Sequence, residues 1–124
     1  MDKYECLKLK NQLCFPLYSA SNKIIRSYKP LLKELDLTYT QYLVMMALWE
    51  NDMVMVKTLS ERLFLETNTL SPVIQRLEAK GYIERASLEE DDRVVAICLS
   101  DEGKKLKDKA VKIPQELSKC FNIE

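Results

Sequence analysis

Residues 56–103 read VKTLSERLFLETNTLSPVIQRLEAKGYIERASLEEDDRVVAICLSDEG, and the order of signals in this stretch decides the fold. Leu59 and Leu63 lie four residues apart, which places both on one face of a short helix. Glu66 and Thr67 interrupt that spacing, and threonine is a frequent helix N-cap. The pattern therefore predicts a short helix, a tight turn and a second helix that Thr67 caps.

The second predicted helix has two different faces. Four apolar residues recur at i, i+3, i+4 and i+7 and form a stripe that would face a core: Leu70, Val73, Ile74 and Leu77. The opposite face carries small or polar side chains that can approach phosphates and base edges: Asn68, Thr69, Ser71, Pro72, Gln75 and Arg76. We expect Pro72 near the helix start, where its missing N–H matters little, and Gly81 just past the helix end in a left-handed conformation.

A two-stranded hairpin should follow this helix. Residues 82–86 and 94–99 are rich in β-forming residues, and the charged run EEDDR at 89–93 is typical of a hairpin tip. Ser100 can then cap a last helix, with Asp101 and Glu102 at the positive end of its dipole. This order predicts a winged helix-turn-helix, a mainly α fold with a small β wing that places one helix in the DNA major groove. The alternative is an ordinary α+β core in which the second helix is merely amphipathic.

Helices are also predicted on both sides of this module. The first covers about 15–35, limited or bent by Pro30 and the turn at 36–38, and Thr38 can cap the helix after it. The last runs from Ser100 onward, with apolar residues at Leu106, Ala110 and Ile113. These flanking helices have no obvious partner in so small a chain, so packing against a second copy is the simplest way to bury them. We therefore divide the chain into an N-terminal dimerisation helix at 1–37, a DNA-binding lobe at 38–99 and a C-terminal dimerisation helix at 100–124.

Composition limits the kinds of partner. The formal net charge is zero and the sequence pI is about 6.4, which argues against a strongly basic nucleic-acid binder. Non-specific DNA affinity should therefore be modest, with contacts concentrated on a few groups. No segment is apolar for long enough to cross a membrane and no signal peptide is evident, so we expect a cytoplasmic protein.

Four cysteines lie at positions 6, 14, 98 and 120. Because histidine and CxxC are absent, we expect neither a metal site nor a cofactor, and free thiols are the default in a reducing cytoplasm. Cys98 lies in a predicted strand, which indicates a structural role. Cys14 differs, because Pro16 favours the first turn of a helix there, and a thiol at a helix N-terminus among basic residues reacts as a thiolate. The alternative for Cys14 is an inert, buried cysteine.

Several short runs are more specific than these patterns. They are NQLCF at 11–15 followed by Leu17 and Tyr18, YKPLL at 28–32, LTY at 37–39, QYL at 41–43, LWE at 48–50, VK at 56–57, TLxP at 69–72, EEDxR at 89–93 and IP at 113–114. Together they span nearly the whole chain, and they resemble the OhrR-type organic-hydroperoxide sensors of the MarR family. The resemblance implies a dimeric repressor without enzymatic activity, whose reduced form holds double-stranded operator DNA.

The resemblance also implies roles for individual residues. Cys14 matches the peroxidatic cysteine, Tyr28 and Tyr39 match tyrosines that hydrogen-bond its thiolate across the dimer interface, and Tyr18 matches a third tyrosine nearby. Phenolic O–H donors can stabilise a thiolate without histidine. Cys120 matches the resolving cysteine of two-cysteine members, where the disulfide forms between subunits. In one-cysteine members, a low-molecular-weight thiol reacts with the oxidised peroxidatic cysteine instead.

The wing tip completes the set, since Asp91 and Arg93 match the family's D-x-R motif. Asp91 would orient Arg93, which would enter the minor groove. The alternatives are an exposed hairpin ion pair for these two, core packing for the tyrosines and an exposed terminal thiol for Cys120. At the level of function, the alternatives are a MarR-type regulator that responds to hypochlorite, quinones or a phenolic ligand, a thiol peroxidase, and an interaction protein that binds no DNA.

Two departures from the family pattern concern the ends of the chain. Pro16 lies where a plain helical residue is expected, so the first helix would start late or bend beside Cys14. The family usually adds one more helix beyond the position of Glu124, so we expect either a truncated product or a smaller dimer interface.

Overall fold

The fold is mainly helical, with one small antiparallel sheet. A computed structural model of the chain describes residues 2–87 and 95–120. Two 3-10 helices, Glu5–Leu7 and Leu9–Asn11, come first. The regular elements then follow in the order α1 Cys14–Lys33, α2 Tyr39–Glu50, β1 Val54–Met55, α3 Val56–Leu63, α4 Thr67–Ala79, β2 Ile83–Ser87, β3 Val95–Leu99, α5 Asp101–Ala110 and α6 Lys112–Cys120.

The sheet confirms the predicted hairpin and adds a strand that was not predicted. Its strand order is β1-β3-β2, and β2 pairs with β3 in the register Ile83↔Leu99. The short strand β1 pairs with the other edge of β3, so it ties the hairpin to the start of α3. The structure does not describe residues 88–94, so the wing tip predicted at 89–93, with Asp91 and Arg93, lies outside the described residues.

The helix-turn-helix is formed by α3 and α4, as predicted, but their junction differs in detail. Glu66 is the N-cap of α4 and Thr67 is its first residue, so the prediction that Thr67 caps this helix is wrong. Pro72 is the sixth residue of α4 and lies inside the helix rather than in its first turn. At the other end, Gly81 has φ +82° and the Tyr82 N–H donates to the Leu77 carbonyl, which confirms the left-handed helix end.

The predicted N-caps of α2 and α5 are confirmed. Thr38 accepts a hydrogen bond from the Gln41 N–H, and the Gln41 side chain accepts from the Thr38 N–H, which completes a capping box. Ser100 accepts from the Gly103 N–H at 3.1 Å. The first helix does not start late, because α1 begins at Cys14 and includes Pro16 in its first turn, where no intrahelical donor is needed.

The C-terminal part corrects the prediction of a single, unpartnered last helix. It forms two helices, α5 and α6, that separate at Val111. Pro114 explains the break, since it has no N–H to donate to the Ala110 carbonyl four residues earlier. Leu106, Ala110 and Ile113 are buried inside the chain, where α6 packs against α1 and α5 packs against α2 and β3. One hydrophobic core therefore runs from Leu32 to Ile113.

Among the described helices, none is long and apolar enough to cross a membrane.

A close approach at Gly103 fixes the position of α5. A Cβ atom at this residue would overlap with the Tyr82 carbonyl oxygen, and the Trp49 indole N–H donates to the Gly103 carbonyl at 2.9 Å. We expect Gly103→Ala to lower the free energy of unfolding by about 2 kcal/mol or more, because the backbone of Tyr82 cannot move away cheaply. Urea unfolding followed by circular dichroism measures this loss.

Gly81→Ala is the matched control, since its Cβ meets no atom within 4 Å and only the positive φ opposes it. We expect it to cost about 1 kcal/mol. Equal losses in the two variants would contradict the close approach at Gly103.

Candidate thiol sensor and DNA interface

Cys14 lies at the N-terminal end of α1 and is an exposed, free thiol. Tyr18 follows one turn later on the same face and is 65% exposed. The surrounding surface is apolar, since Leu13, Phe15 and Leu17 are also exposed. The predicted position of Cys14 at a helix N-terminus is confirmed, and the alternative of a buried Cys14 is wrong.

Tyr28 and Tyr39 come together at the other end of α1. Their ring centroids are 5.2 Å apart, and Tyr42 packs on Tyr28 at 5.8 Å. Burial, and then the nearness of Tyr39, raise the pKa of Tyr28 above its ordinary value of 10.0, so its hydroxyl stays a proton donor at neutral pH. Tyr42 was not among the predicted site residues, and its pKa is raised by burial and then by Tyr28 and Tyr39.

The thiol and this tyrosine cluster are far apart within one chain. Cys14 and Tyr28 are separated by 14 residues of one helix, which corresponds to about 21 Å along its axis. Of the predicted tyrosines, only Tyr18 lies within about one helical turn of Cys14 in its own chain. The structure thus brings Tyr28 and Tyr39 together but does not bring them to Cys14.

Cys120 ends α6, and its side chain lies outside the described part of the structure. The start of α6 is near the C-terminal end of α1, where Leu31, Leu35 and Ile113 line a common cavity. Cys14 occupies the opposite end of α1, about 25 Å from Leu31 along the axis, whereas residues 113–120 extend only about 10 Å. Within one chain, these lengths leave the end of α6 well short of the start of α1.

α1 has an apolar face that the described residues of the chain leave uncovered. The exposed residues on it and just before it are Leu13, Phe15, Leu17, Tyr18, Ile24 and Ile25. Only Leu32 of this helix is buried. A continuous apolar surface of this kind is typical of a protein–protein interface.

The two predicted faces of α4 are confirmed. Leu70, Ile74 and Leu77 are buried, and Val73 is half-buried. All six predicted DNA-facing residues are exposed: Asn68, Thr69, Ser71, Pro72, Gln75 and Arg76. Because Arg76 is the only cation in α4, this face offers mainly neutral hydrogen-bonding groups.

A polar clamp, which the sequence analysis did not predict, joins α4 to the turn before Tyr39. The clamp consists of Lys80, Gln41 and Asp36: the Lys80 ammonium donates to the Asp36 carbonyl at 2.6 Å and to Gln41 Oε1 at 2.8 Å. Gln41 is only 2% exposed, and its side-chain oxygen also accepts from the Thr38 N–H. The spacing of Thr38 and Gln41 is a capping-box signature, but the role of Lys80, far away in sequence, has no local signal.

A cavity of about 470 Å³ lies next to this clamp. Its walls are formed by apolar side chains, including Ile25, Leu32 and Leu37, and by the ring of Tyr39. Its charged lining is mostly basic: Arg26, Lys29, Lys33 and Lys80, with Asp36. An apolar cavity with this charge suits an aromatic anion.

Among the thiols that the structure describes, Cys98 and Cys6 lie in different surroundings and form no shared site. Burial, and then Asp52 and Glu84, raise the pKa of the Cys98 thiol, while Lys104 opposes them, so this thiol is a weak nucleophile. Cys6 is exposed in the first 3-10 helix. Across residues 2–87 and 95–120, no three His, Cys, Asp or Glu side chains cluster in a way that could hold a metal ion.

The winged helix-turn-helix, with the exposed polar face of its second helix, places this protein in the class of DNA-binding transcriptional regulators. Comparison with known proteins identifies its family. Residues 26–110 match the family described as Transcriptional regulator SarA/Rot. The organic hydroperoxide resistance transcriptional regulator of Bacillus subtilis is 47% identical over 91% of this chain and 77% of its own length. The chain therefore belongs to the MarR-family regulators of the OhrR type.

Solved structures agree with this assignment. The reduced form of AbfR bound to DNA superposes with a TM-score of 0.80, at 34% identity, over 96% of this chain and 81% of that chain. This AbfR is from Staphylococcus epidermidis. Overoxidised AbfR bound to DNA gives a TM-score of 0.79, whereas disulfide-formed AbfR gives 0.69. Wild-type MarR of E. coli, at 24% identity and a TM-score of 0.72 over 87% of this chain and 84% of that chain, shares the fold.

The polar clamp predicts a measurable contribution to stability. Lys80→Met keeps the aliphatic stem but removes both hydrogen bonds of the ammonium group, and Gln41 Oε1 keeps only one partner. We expect the free energy of unfolding to fall by about 1–3 kcal/mol, as is usual when a charge-assisted hydrogen bond is lost.

Lys105→Met is the control for the loss of a surface charge. Lys105 pairs with Glu102 at 3.7 Å, and both side chains are at least 70% exposed, so we expect almost no change. Chemical unfolding of both variants compares them directly. Losses of the same size would mean that the clamp is no stronger than a surface ion pair.

Proposed function

We propose that this protein is a dimeric repressor that holds operator DNA while Cys14 is reduced and releases it when an organic hydroperoxide oxidises Cys14. The observation that carries the proposal is the separation of the exposed thiol from the Tyr28–Tyr39 pair by about 21 Å of one helix. A second copy whose α1 runs in the opposite direction would bring each thiol to the tyrosines of the other copy. The same packing would cover the exposed apolar face of α1.

Within such a dimer, the chemistry follows from the groups around Cys14. Its thiolate attacks one peroxide oxygen, the O–O bond breaks, and the alcohol leaves after taking up a proton. Sulfur is thereby oxidised to sulfenic acid and the peroxide is reduced. Tyrosine hydroxyls of the partner subunit would stabilise the thiolate by donating to it. The apolar surroundings, with Phe15 and Leu17, favour an organic peroxide over a fully hydrated oxidant.

The second step in this proposal is a disulfide between subunits. The thiolate of Cys120 of the partner subunit attacks the Cys14 sulfur, the S–O bond breaks, and hydroxide leaves as water after taking up a proton. The AbfR structures support this route, because that protein is bound to DNA in its overoxidised form and also has a disulfide-formed state. A low-molecular-weight thiol could attack the same sulfur in place of Cys120, and the test below separates the two routes.

DNA binding is assigned in this proposal to the 38–99 lobe, and dimerisation to the segments 1–37 and 100–124. Asn68, Thr69, Ser71 and Gln75 would approach base edges beside Pro72 and Arg76, and Asp91 would orient Arg93 in the minor groove. The polar clamp supplies a physical link between the two functions. Tyr39 follows Thr38 directly, and Lys80 holds that turn against the end of α4, so a shift at the tyrosines would move the recognition helix.

A second candidate function is supported by the basic, apolar cavity of about 470 Å³ beside Tyr39. It would make the protein a regulator that responds to a phenolic ligand. Release of DNA from Cys14→Ser by an aromatic carboxylate would favour this candidate, because that variant cannot respond to peroxide.

The sensing residue is tested by Cys14→Ser. We expect this variant to bind promoter DNA with unchanged affinity but to keep it after treatment with cumene hydroperoxide, whereas the wild type loses about tenfold or more in affinity, equivalent to about 1.4 kcal/mol. Fluorescence anisotropy with a labelled duplex from the promoter beside the gene measures the affinity before and after peroxide treatment. Cys98→Ser is the matched control and should respond like the wild type. If Cys14→Ser responds normally to peroxide, Cys14 is not the sensing residue. If the wild type instead keeps consuming peroxide in the presence of a recycling thiol, the protein is better described as a thiol peroxidase.

The resolving residue is tested by non-reducing electrophoresis after one equivalent of peroxide. We expect a covalent dimer in the wild type and none in Cys14→Ser or Cys120→Ser, because each variant lacks one sulfur of the bridge. Cys6→Ser is the control, since it also removes a thiol near a chain end but should still form the dimer. A covalent dimer that persists in Cys120→Ser would exclude the assigned pair. No dimer in the wild type, with a mass increase from an added small thiol, would instead support the one-cysteine route.

A further inference from the structure

Phe64, in the turn between α3 and α4, is the most exposed large apolar side chain that the described residues contain. It is 94% exposed, compared with 79% for Leu13 in the uncovered face of α1. Its backbone has φ 55° and ψ 38°, a left-handed conformation that favours glycine or asparagine over a residue with a large side chain. A large side chain held in this conformation is a backbone outlier, and such outliers are often found at functional sites.

The turn itself does not need the ring. The N–H groups of Phe64 and Leu65 both donate to the Ser60 carbonyl, and the Ser60 hydroxyl donates to the Leu65 carbonyl. These bonds fix the turn through backbone atoms and one serine. The Phe64 side chain contributes almost no buried area, so its removal should not weaken the fold.

The position of the ring relates it to the DNA-facing surface of α4. Phe64 lies three residues before Thr67, where α4 begins, and the exposed residues Asn68 and Thr69 follow within the first turn. In a helix-turn-helix, the first helix crosses the DNA backbone and the N-terminal end of the second contacts base edges. The turn between them therefore lies where the sugar–phosphate backbone meets the wall of the groove.

The charges around Phe64 indicate what kind of contact it can make. Glu61 and Glu66 flank it, and Arg62 forms an ion pair with Glu50, so this part of the surface does not attract phosphates strongly. An aromatic ring can instead pack on deoxyribose carbons or on the methyl group of thymine, which are the apolar parts of a duplex.

We infer that Phe64 is a DNA contact that packs on the apolar edge of the duplex beside the N-terminal end of α4. This inference rests on the proposed function, because it requires that α4 enters the groove. It adds an apolar anchor to a lobe whose recognition helix has one cation. The contact is independent of salt, since it neutralises no phosphate.

The test compares Phe64→Asn with Arg76→Ala on a labelled duplex from the promoter beside the gene. Asparagine tolerates the left-handed backbone, so we expect the thermal midpoint to stay the same or rise. We expect Phe64→Asn to weaken binding about five- to tenfold at every salt concentration, with an unchanged slope of log Kd against log salt. Arg76→Ala should reduce that slope, because it removes a phosphate or base contact that carries charge.

Phe64→Trp provides a direct readout of contact. It should retain wild-type affinity, and DNA should quench its added indole fluorescence beyond the change seen for Trp49 in the wild type. Unchanged affinity in Phe64→Asn, or no added quenching in Phe64→Trp, would overturn the inference while leaving the repressor proposal intact if Arg76→Ala still weakens binding. If the wild type binds the duplex and both Phe64→Asn and Arg76→Ala bind it with the same affinity, the assignment of α4 as the DNA-facing helix fails as well.

Discussion

The arrangement of this molecule depends on one buried amide oxygen. Gln41 Oε1 accepts from the Thr38 N–H and from the Lys80 ammonium, which also reaches the Asp36 carbonyl. Because Gln41 is almost fully buried, leaving that oxygen without partners would be unfavourable, so the α1–α2 turn and the end of α4 are held together. The Tyr39 ring and the recognition helix are thus attached to the same small junction, although they serve different parts of the proposed mechanism.

The length of α1 imposes the second constraint. A continuous helix from Cys14 to Lys33 is stiff, and it keeps the thiol and the Tyr28–Tyr39 pair at fixed, distant positions. Pro30 does not interrupt it. A sensor that needs both groups at one point must therefore take them from two chains. The apolar face of α1 supports the same conclusion independently, because its exposed side chains have no partner within the described part of the chain.

Local signals predicted most of the fold, whereas contacts between distant segments could not be predicted. Thr38, Ser100 and Gly81 act on their own helix ends, so residue type and spacing were sufficient to identify them. The strand β1 has only two residues and no periodicity of its own, and it exists because β3 has a free edge there. The prediction that Leu106, Ala110 and Ile113 needed a second copy was wrong for a related reason: spacing shows which face of a helix is apolar, but not which surface it will meet.

In the candidate site, too, the features with a local sequence signal were predicted, and those that depend on distant contacts were not. The exposed face of α4 follows from helix periodicity, and the position of Cys14 at a helix start follows from Pro16; both were predicted. The clamp joins Lys80 to Gln41 and Asp36, which lie 39 and 44 positions earlier in the chain, and no local sequence pattern signals these contacts. Tyr42 was noted only within the QYL run at 41–43 and given no role, because its packing on Tyr28 depends on how two helices cross.

Low charge suits a repressor that is switched by geometry. A strongly basic lobe would remain on DNA through non-specific attraction even after its recognition helices had moved, because phosphate contacts tolerate displacement. Here the net charge of the chain is zero and α4 carries one cation, so binding must depend on well-placed contacts. Two recognition helices fit successive major grooves only near a separation of about 34 Å. A displacement of a few ångströms, transmitted through the clamp, would then remove most of the affinity, since little non-specific attraction is left to retain the protein.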